Sequence, residues 1–220
     1  ANAQTKPKPP KSPRLYIIDN GIIKDPDVTR FRFKKEEIKV ADFVVCSYLI
    51  VHPKGTLMFD AGSIPDVNFK AGVTPTAMTR FIANKSLKAQ LTEIGYAPKD
   101  ITYFALSHYH GDHIANSNDF AGSTWIVQKP ERDAMFADNS PIKEQWPLVD
   151  KLKTAKTKVL DGKDFDVFGD GTVVVKAAYG HTPGHQVIAL KLAKSGQILL
   201  SGDLYHYREE RFTDKTPVFE

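Results

Sequence analysis

The sequence predicts one mixed α/β (α+β) domain in which helices cover β-sheets. The chain has 220 residues, which is long enough for one domain with a substantial core. Short apolar runs rich in β-forming residues alternate with runs of helical spacing, and no repeat of fixed period is visible. Strands with helices between them favour helix-covered sheets over an all-β barrel.

The predicted elements follow from apolar spacing and turn residues. Two strands, Phe43–Val51 and Thr56–Asp60, are separated by a His-Pro-Lys-Gly turn, which favours a chain reversal. A helix is predicted over Thr76–Gly95, because its apolar residues recur near one face and Gly95 suits the C-cap. A second helix is expected at Pro130–Ala137, with proline at its start. The remaining strands are expected at Leu15–Asp19, Ile101–Leu106, Thr124–Gln128, Thr172–Ala178, Gln186–Leu192 and Gln197–Ser201.

Residues 1–13 are predicted to be a disordered leader rich in lysine and proline, with the folded domain over residues 14–220. Prolines remove backbone donors and lysines repel one another, so regular structure is not expected here. The opening Ala-Asn-Ala resembles the residues left by signal-peptide cleavage. We therefore expect a periplasmic or secreted protein, although a chain trimmed in another way would look the same and would be expected in the cytoplasm.

The net charge of +4 comes from the first 14 residues. Lys6, Lys8, Lys11 and Arg14 precede the first acidic residue, and without them the 26 acidic residues face 26 basic ones. A neutral domain gives no support for a nucleic-acid partner. No apolar run approaches the length needed to cross a bilayer, so a membrane partner is not expected either.

The densest group of chemically active side chains directly follows the predicted strand Ile101–Leu106. Residues 107–113 read Ser-His-Tyr-His-Gly-Asp-His. Imidazoles and carboxylates are the ligands that borderline divalent metals prefer, and a loop after a strand holds them on a rigid support. One such histidine could be an ordinary solvated loop residue. Three histidines and an aspartate within six positions instead indicate a site for two metal ions.

Two further motifs each follow a predicted strand. Residues 180–185 read Gly-His-Thr-Pro-Gly-His, a tight turn that can place one imidazole accurately. His185, at the end of this turn, is predicted to be a metal ligand, whereas His181 is expected to brace the turn. The strand Gln197–Ser201 leads to Asp203. On its own this aspartate would be interpreted as a turn or capping residue, and only the other motifs favour a role in metal binding.

Together these motifs resemble those of the metallo-β-lactamase superfamily. The HxHxDH pattern stands at residues 108–113, the Gly-His-x-x-Gly-His turn at 180–185, and the motif of the bridging aspartate at 201–203. The segment 59–62 resembles the family's early Asp-x-Gly turn, in which Asp60 is expected to support the metal loop. The resemblance extends over about residues 43–207. It implies an αββα sandwich with metal ions at one edge of the sheets.

The resemblance also implies ligands and a reaction. The first metal ion would be held by His108, His110 and His185, the second by Asp112 and His113, and Asp203 would bridge both. Two divalent ions, zinc by this resemblance, lower the pKa of a shared water and polarise a substrate carbonyl. The bridging hydroxide would attack that carbonyl, and Asp112 would pass the proton to the leaving group.

One ligand of the family pattern has no counterpart here. The second metal ion of the family normally receives a further histidine well beyond the bridging aspartate, but no histidine follows His206. His206 is one alternative ligand. The preferred interpretation is that the family's last strand and helix are missing, which predicts an incomplete second site and an exposed edge or apolar face. Such an edge would suit a homodimer or a segment swapped from another chain.

Within the family, the chain resembles the N-acyl homoserine lactonases. The commonest class B β-lactamases use a cysteine where Asp203 stands, and nuclease members need appended segments or basic surfaces. Lactonases place a tyrosine shortly after the bridging aspartate to contact the substrate carbonyl. Tyr205 is predicted to take this role, with Tyr207 as the alternative. The expected partner is therefore a small lactone or ester.

Two classes of function remain open from the sequence. The first is a dinuclear hydrolase that opens a lactone, with N-acyl homoserine lactones and hence quorum quenching as the best match. Hydrolysis of other esters or phosphoesters is a variant of this hypothesis. The second is a catalytically silent chain that keeps the fold and one metal ion.

Overall fold

The computed structural model describes residues 7–69 and 81–219, and its strands form two β-sheets. The larger sheet has the strand order β4-β1-β2-β3-β5-β6-β7, and the smaller one β11-β10-β9-β8. The strands of the larger sheet are β1 (Arg14–Ile23), β2 (Phe43–His52), β3 (Gly55–Phe59), β4 (Phe81–Ile82), β5 (Tyr103–Ala105), β6 (Thr124–Gln128) and β7 (Thr157–Leu160). Those of the smaller sheet are β8 (Phe165–Asp166), β9 (Val173–Ala177), β10 (Gln186–Leu192) and β11 (Gly196–Leu200).

Strand direction brings the chemically active segments to one edge. β1, β2 and β3 pair antiparallel, whereas β3, β5, β6 and β7 run parallel. Parallel neighbours need crossover connections, so the chain leaves β3 and β5 at the same edge of the sheet. The smaller sheet reaches that edge too, because the backbone N–H of Gln186 donates to the carbonyl of Ser107 at 2.9 Å.

The two sheets face each other across an apolar core. Successive side chains of a strand point to opposite faces. Ile50, Leu57 and Phe59 therefore point away from the helices and meet Val175 and Ile188 of the smaller sheet. All five side chains are fully buried, so this interface contributes strongly to the stability of the fold.

Helices cover the other face of the larger sheet. Leu91 of α1 (Leu87–Glu93) and Met135 of α3 (Lys129–Phe136) belong to the same buried cluster as Leu49 and Met58 of the sheet. A one-turn helix, α2 (Gly111–Ile114), follows β5. This layering confirms the predicted α/β class. Short 3-10 helices lie at Val28–Phe31, Lys35–Glu37, Asp66–Asn68, Pro98–Asp100, Ser117–Phe120, Lys143–Leu148, Asp150–Lys153, Gly202–Leu204 and Arg208–Phe212.

The long helix predicted over Thr76–Gly95 is wrong in its upstream part. The chain forms strand β4 there, paired with β1, and residues 76–80 lie outside the described part of the chain. The helix begins only after Ser86, whose side-chain oxygen accepts a hydrogen bond from the backbone N–H of Ala89 at 3.2 Å. A serine in this position satisfies an otherwise unpaired N–H group and fixes the helix start. Apolar spacing alone does not reveal that cap.

The other predicted elements are present with shifted bounds. Every predicted strand and the helix at Pro130–Ala137 are found. Strands β7 and β8 are additions. Strand β7 ends the larger sheet, and its Lys158 and Val159 are exposed, as is common for edge strands. The local pattern of apolar residues therefore does not predict this strand.

The ends of the chain bear on two further expectations. Residues 7–13 contain no helix or strand, as predicted, but Pro10 and Pro13 are buried, so a solvated leader does not describe this part. At the opposite end, β11 forms the edge of the smaller sheet, and Leu199 on it is 52% exposed. The expectation of an exposed edge or apolar face at which further elements would pack stays a prediction. Across residues 7–69 and 81–219, no helix combines the length and apolar character of a membrane span.

Candidate metal centre

The loop after β5 brings three histidines together. The backbone N–H of His113 donates to the carbonyl of His110 at 3.0 Å as α2 begins, which turns the chain back on itself. Nε2 of His108 consequently lies 3.0 Å from Nδ1 of His110. The rings of His108 and His113 have centroids 4.3 Å apart. His108 is fully buried and His113 is 6% exposed, so the sheet edge shields both from bulk solvent.

Asp60 supports this loop from the end of β3, as the sequence predicted. One carboxylate oxygen accepts a hydrogen bond from the backbone N–H of Ser107 at 2.6 Å. The other accepts from the Ser107 hydroxyl and from Nδ1 of His113, both at 2.9 Å. Nδ1 of His113 carries the proton in this contact, so the neutral form of the ring has its lone pair on Nε2, which faces the interior of the cluster.

The turn after β9 adds His181 to the cluster. Nε2 of His181 lies 2.9 Å from Nδ1 of His110 and 3.1 Å from Nε2 of His108. The sequence predicts only a bracing role for His181. The structure instead brings it to the two loop histidines, because the turn folds inward before the chain enters β10.

His185 stands where the sequence placed a ligand, but both of its ring nitrogens have backbone partners. Its Nδ1 donates to the carbonyl of Ala178 at 3.1 Å, and its Nε2 accepts from the backbone N–H of Asp203 at 3.1 Å. A neutral imidazole has one donor and one acceptor nitrogen. This geometry does not support the prediction that His185 is a metal ligand, and it favours His181 in that role.

Asp203 lies at the centre of the cluster. Its Oδ1 is 3.2 Å from Nε2 of His113, and its Oδ2 is 3.5 Å from Nε2 of His181 and 3.8 Å from Nε2 of His108. The carboxylate thus faces both groups of histidines, which suits the predicted bridging role. On the outer side, Oδ2 of Asp112 lies 3.5 Å from Nε2 of His113.

The arrangement of ring nitrogens fits a metal ion better than a hydrogen-bond network. The nitrogens of His108, His110 and His181 contact one another in three pairs, and each nitrogen bears either a proton or a lone pair. At least two of the three nitrogens must be in the same state, so in one contact a proton faces a proton or a lone pair faces a lone pair. A cation that receives three lone pairs removes this conflict. Zinc prefers this kind of ligand.

Potential ligand atoms also converge in three overlapping sets. Within the described residues, three sets of side chains bring ligand atoms to within 4.8 Å of one another: His108, His110 and His181; His108, His113 and Asp203; and His181, Asp203 and His206. The sets share members, so they form one extended site. Such overlap is what two closely spaced ions require.

Burial and charge act in opposite directions on the histidines of the loop. Burial, followed by the charge of His113, lowers the pKa of His108 well below its usual value. Burial and the neighbouring His181 lower the pKa of His110 to about 4. Burial alone would lower the pKa of His113, but the carboxylates of Asp203, Asp112 and Asp60 together raise it well above its usual value. His108 and His110 are thus neutral at neutral pH, whereas His113 is held in its protonated form by three carboxylates, a concentration of negative charge that a bound cation would also neutralise.

A cavity of about 170 Å³ opens beside the cluster. Tyr205, which is 45% exposed, lines it together with Asp112, His113 and Asp203. Tyr207 is 3% exposed, and its hydroxyl donates to the carbonyl of Ala41 at 3.3 Å. The geometry therefore favours Tyr205 over Tyr207 as the tyrosine that meets a ligand.

His206 also reaches the cluster from this segment. Its Nε2 lies 3.6 Å from Oδ2 of Asp203, and its Nδ1 lies 3.8 Å from a carboxylate oxygen of Glu210. The ring packs on Phe31, with centroids 4.8 Å apart. His206 therefore joins the cluster through Asp203 and lies beside His181, with ring centroids 5.0 Å apart. Its alternative role as a metal ligand stays a prediction.

Relatives with known names share much of this chain. An N-acyl homoserine lactonase AttM from Azorhizobium caulinodans is 29% identical over 213 residues, covering 90% of this chain and 80% of that relative. An N-acyl homoserine lactonase from a Bacillus species is 29% identical over 186 residues, covering 81% of this chain and 70% of that relative.

Solved structures share the fold. An N-acyl homoserine lactone hydrolase with N-hexanoyl-L-homoserine at its catalytic metal centre superposes with a TM-score of 0.63 at 23% identity, covering 85% of this chain and 74% of that one. The dizinc quorum-quenching lactonase AidC gives a TM-score of 0.60 at 19% identity, covering 90% and 74%. At these identities the similarity establishes the architecture.

The family itself is established over most of the chain. Residues 41–219 match the family model of the metallo-beta-lactamase superfamily, and this range contains all the histidines and aspartates of the cluster. The two-sheet architecture, the order of the motifs and this match agree with one another, and on their combined strength the chain belongs to the metallo-beta-lactamase superfamily.

Proposed function

We propose that this chain is a dinuclear metal hydrolase that opens a lactone ring, with N-acyl homoserine lactones as its substrates. The observation that carries the proposal is the convergence of His108, His110 and His181 on one point, with Asp203 between them and His113. The names of the relatives support the choice of substrate. The cavity beside the cluster supplies a place for it.

The distances support one ligand set. His108, His110 and His181 would hold the first ion. Asp112 and His113 would hold the second, with Asp203 shared between both. His206, whose Nε2 lies 3.6 Å from Oδ2 of Asp203, is the candidate for a further ligand. Divalent ions bound here would supply a water of lowered pKa and would polarise the substrate carbonyl.

Other side chains around the cavity would transfer the proton, contact the substrate and orient a ligand. Asp112 lies beside His113 at the cavity wall, where its carboxylate can accept a proton and return it to the oxygen of the leaving group. Tyr205 can direct its hydroxyl to the carbonyl oxygen of the substrate, where negative charge develops during ring opening. Asp60 holds His113 in the tautomer that keeps its Nε2 lone pair available.

The test has two stages. Zinc content per chain, measured by mass spectrometry on protein of confirmed intact mass, should approach two equivalents. Hydrolysis of N-hexanoyl homoserine lactone, followed as release of the ring-opened acid, should disappear with a chelator and return with zinc. One equivalent of zinc and no turnover would support the silent chain instead. Turnover of other esters or phosphoesters but not lactones would reject the substrate.

A matched pair of variants distinguishes damage to the metal site from damage to the fold. His181→Gln removes a proposed ligand, whereas His52→Gln changes a buried histidine that is hydrogen-bonded to Asp170 at 2.8 Å, away from the cluster. Only His181→Gln should abolish zinc-dependent lactone hydrolysis. Equal losses in both variants would contradict the assignment of the cluster as the active site.

A further inference from the structure

Glu131 is a buried carboxylate outside the ligand set. It lies in the first turn of α3 and is 2% exposed. One carboxylate oxygen accepts a hydrogen bond from the backbone N–H of Tyr109 at 2.8 Å. The other accepts from the Thr182 hydroxyl and from the backbone N–H of Gly184, each at 2.8 Å. Charged hydrogen bonds of this kind are the strong ones.

The three donors belong to the two segments that carry the first group of ligands. Tyr109 stands between His108 and His110 in the loop after β5. Thr182 directly follows His181 in the turn after β9. One carboxylate therefore connects two segments that lie more than 70 positions apart in the chain, each at a residue adjacent to a proposed ligand.

We propose that Glu131 is a positioning residue that holds His181 at the correct distance from His108 and His110 and thereby sets the affinity of the first metal site. This inference rests on the proposed function, because it assumes that these histidines bind a metal ion. Glu131 itself touches no ligand atom. It acts through the backbone on either side of the ligands.

The close packing around Glu131 makes the connection rigid. A Cβ atom added at Gly184 would lie 2.4 Å from the backbone nitrogen of Glu131, so only glycine allows the turn to approach the helix start this closely. Burial raises the pKa of Glu131 to about 7, against the opposing effect of its hydrogen bonds from Thr182, Gly184 and Tyr109. A carboxylate at this place is therefore unfavourable without those partners.

A carboxamide cannot replace the carboxylate here. The two oxygens of Glu131 face a backbone N–H each, and neither N–H can reverse its direction. Glutamine offers one oxygen and one NH₂ group. In either orientation its NH₂ group faces the N–H of Tyr109 or of Gly184, so that two hydrogen-bond donors meet. Glu131→Gln should therefore release either the histidine loop or the turn, while it keeps the shape of the side chain.

The experiment measures metal binding rather than turnover. Zinc affinity is determined for metal-free protein by competition with a chromophoric chelator, and the d–d spectrum of the cobalt-loaded protein reports the coordination geometry. Glu131→Gln should weaken the first binding step by about 10- to 100-fold, the range for partners that orient metal ligands, and should change the cobalt spectrum. The second step should change by less than about threefold.

Two controls separate positioning from general destabilisation. Asp133→Asn changes an exposed carboxylate of the same helix, which pairs with Lys129, and should leave zinc binding unchanged. Val127→Ala removes two methyl groups from the buried cluster beneath α3 and lowers stability without changing any hydrogen-bond partner of Glu131. If Val127→Ala weakens zinc binding as much as Glu131→Gln does, the residue acts through packing alone and the proposal is overturned.

Thr182 provides a second variant in case Glu131→Gln does not fold. Thr182→Val removes one of the three donors and should weaken the first step by about 3- to 10-fold, whereas Thr182→Ser keeps the hydroxyl and should restore it. Unchanged affinity in both Glu131→Gln and Thr182→Val would overturn the proposal. A failed lactone assay leaves these comparisons intact, while a wild-type chain that binds no zinc would reject the proposed function itself.

Discussion

The backbone N–H of Asp203 donates a hydrogen bond to Nε2 of His185 at 3.1 Å. This contact joins the turn after β9 to the segment after β11, and it explains why His185 differs from His181. His185 orients the backbone of the aspartate at the centre of the cluster, whereas His181 contributes its own ring nitrogen. The two histidines of one turn thus support the same site in different ways.

This division predicts different outcomes for two matched substitutions. His181→Gln removes a proposed ligand and should reduce bound zinc from two equivalents to one. His185→Gln removes only an orienting contact, so both ions should still bind, with affinity reduced by about tenfold. Metal content after equilibrium dialysis, followed by chelator competition, distinguishes the two. Loss of one equivalent in His185→Gln and none in His181→Gln would restore the assignment made from the sequence.

Asp60 gives a second prediction, which concerns the tautomer of His113. In Asp60→Asn the new NH₂ group can donate to Nδ1 of His113, which moves the ring proton to Nε2. That proton would then occupy the position that faces Asp203, and the lone pair for the second ion would be lost. We expect second-site zinc affinity to fall by about 10- to 100-fold.

The control for this prediction is Asp170→Asn, which alters the same kind of aspartate–histidine pair away from the cluster. It should leave both zinc affinities unchanged. Nitrogen chemical shifts of labelled histidine report the tautomer directly. A His113 ring that keeps its proton on Nδ1 in Asp60→Asn would show that the carboxylate does not select the tautomer.

A third prediction distinguishes Tyr205 from Tyr207 as the residue that contacts the substrate. Tyr205→Phe should lower kcat/KM for the lactone by about tenfold, the effect of one hydrogen bond of about 1–1.5 kcal/mol to the reacting carbonyl, with zinc content unchanged. Tyr207→Phe loses the bond to the carbonyl of Ala41 and should cost about 1 kcal/mol of stability. Its kcat/KM should stay near that of the wild type. The reverse pattern would assign the substrate contact to Tyr207.

The sequence predicted which residues meet but not how each one is oriented. Short motifs that directly follow strands must lie at a sheet edge, so the convergence of residues 108–113, 180–185 and 203 follows from the order of strands and motifs. The choice between His181 and His185 depends on the carbonyl of Ala178 and the N–H of Asp203. Strand pairing determines these partners, and the residues of the motif do not encode them.

The same limit applies to the parts of the fold that were predicted less well. The strand at β4 depends on pairing with β1, a contact between distant parts of the chain that local apolar spacing does not encode. Glu131 is another example. In the sequence it is an ordinary acidic residue in the first turn of a helix, and its three partners appear only when two distant segments fold against it.

A fourth prediction concerns acid stability and the pair of His52 and Asp170. The ring of His52 stacks on Phe168, with centroids 4.1 Å apart, and its Nε2 lies 2.8 Å from Oδ2 of Asp170. Hydrogen bonds from Thr172, chiefly from its hydroxyl, together with the contact to His52 lower the pKa of Asp170 to about 2. The folded state therefore binds fewer protons than the unfolded state between about pH 2 and the ordinary aspartate value near 3.8.

The sign of the effect follows from this difference in proton binding. The stabilisation from Asp170 is complete above about pH 4 and is lost as the pH falls toward about 2. Since the carboxylate is partly exposed, we expect only about 0.5–1 kcal/mol. Urea unfolding of metal-free protein should therefore show a lower midpoint for Asp170→Asn at neutral pH, and the difference from wild type should narrow on acidification. A difference that stays constant from pH 7 to pH 2 would mean that hydrogen-bond geometry, and not the charge of Asp170, provides the stabilisation.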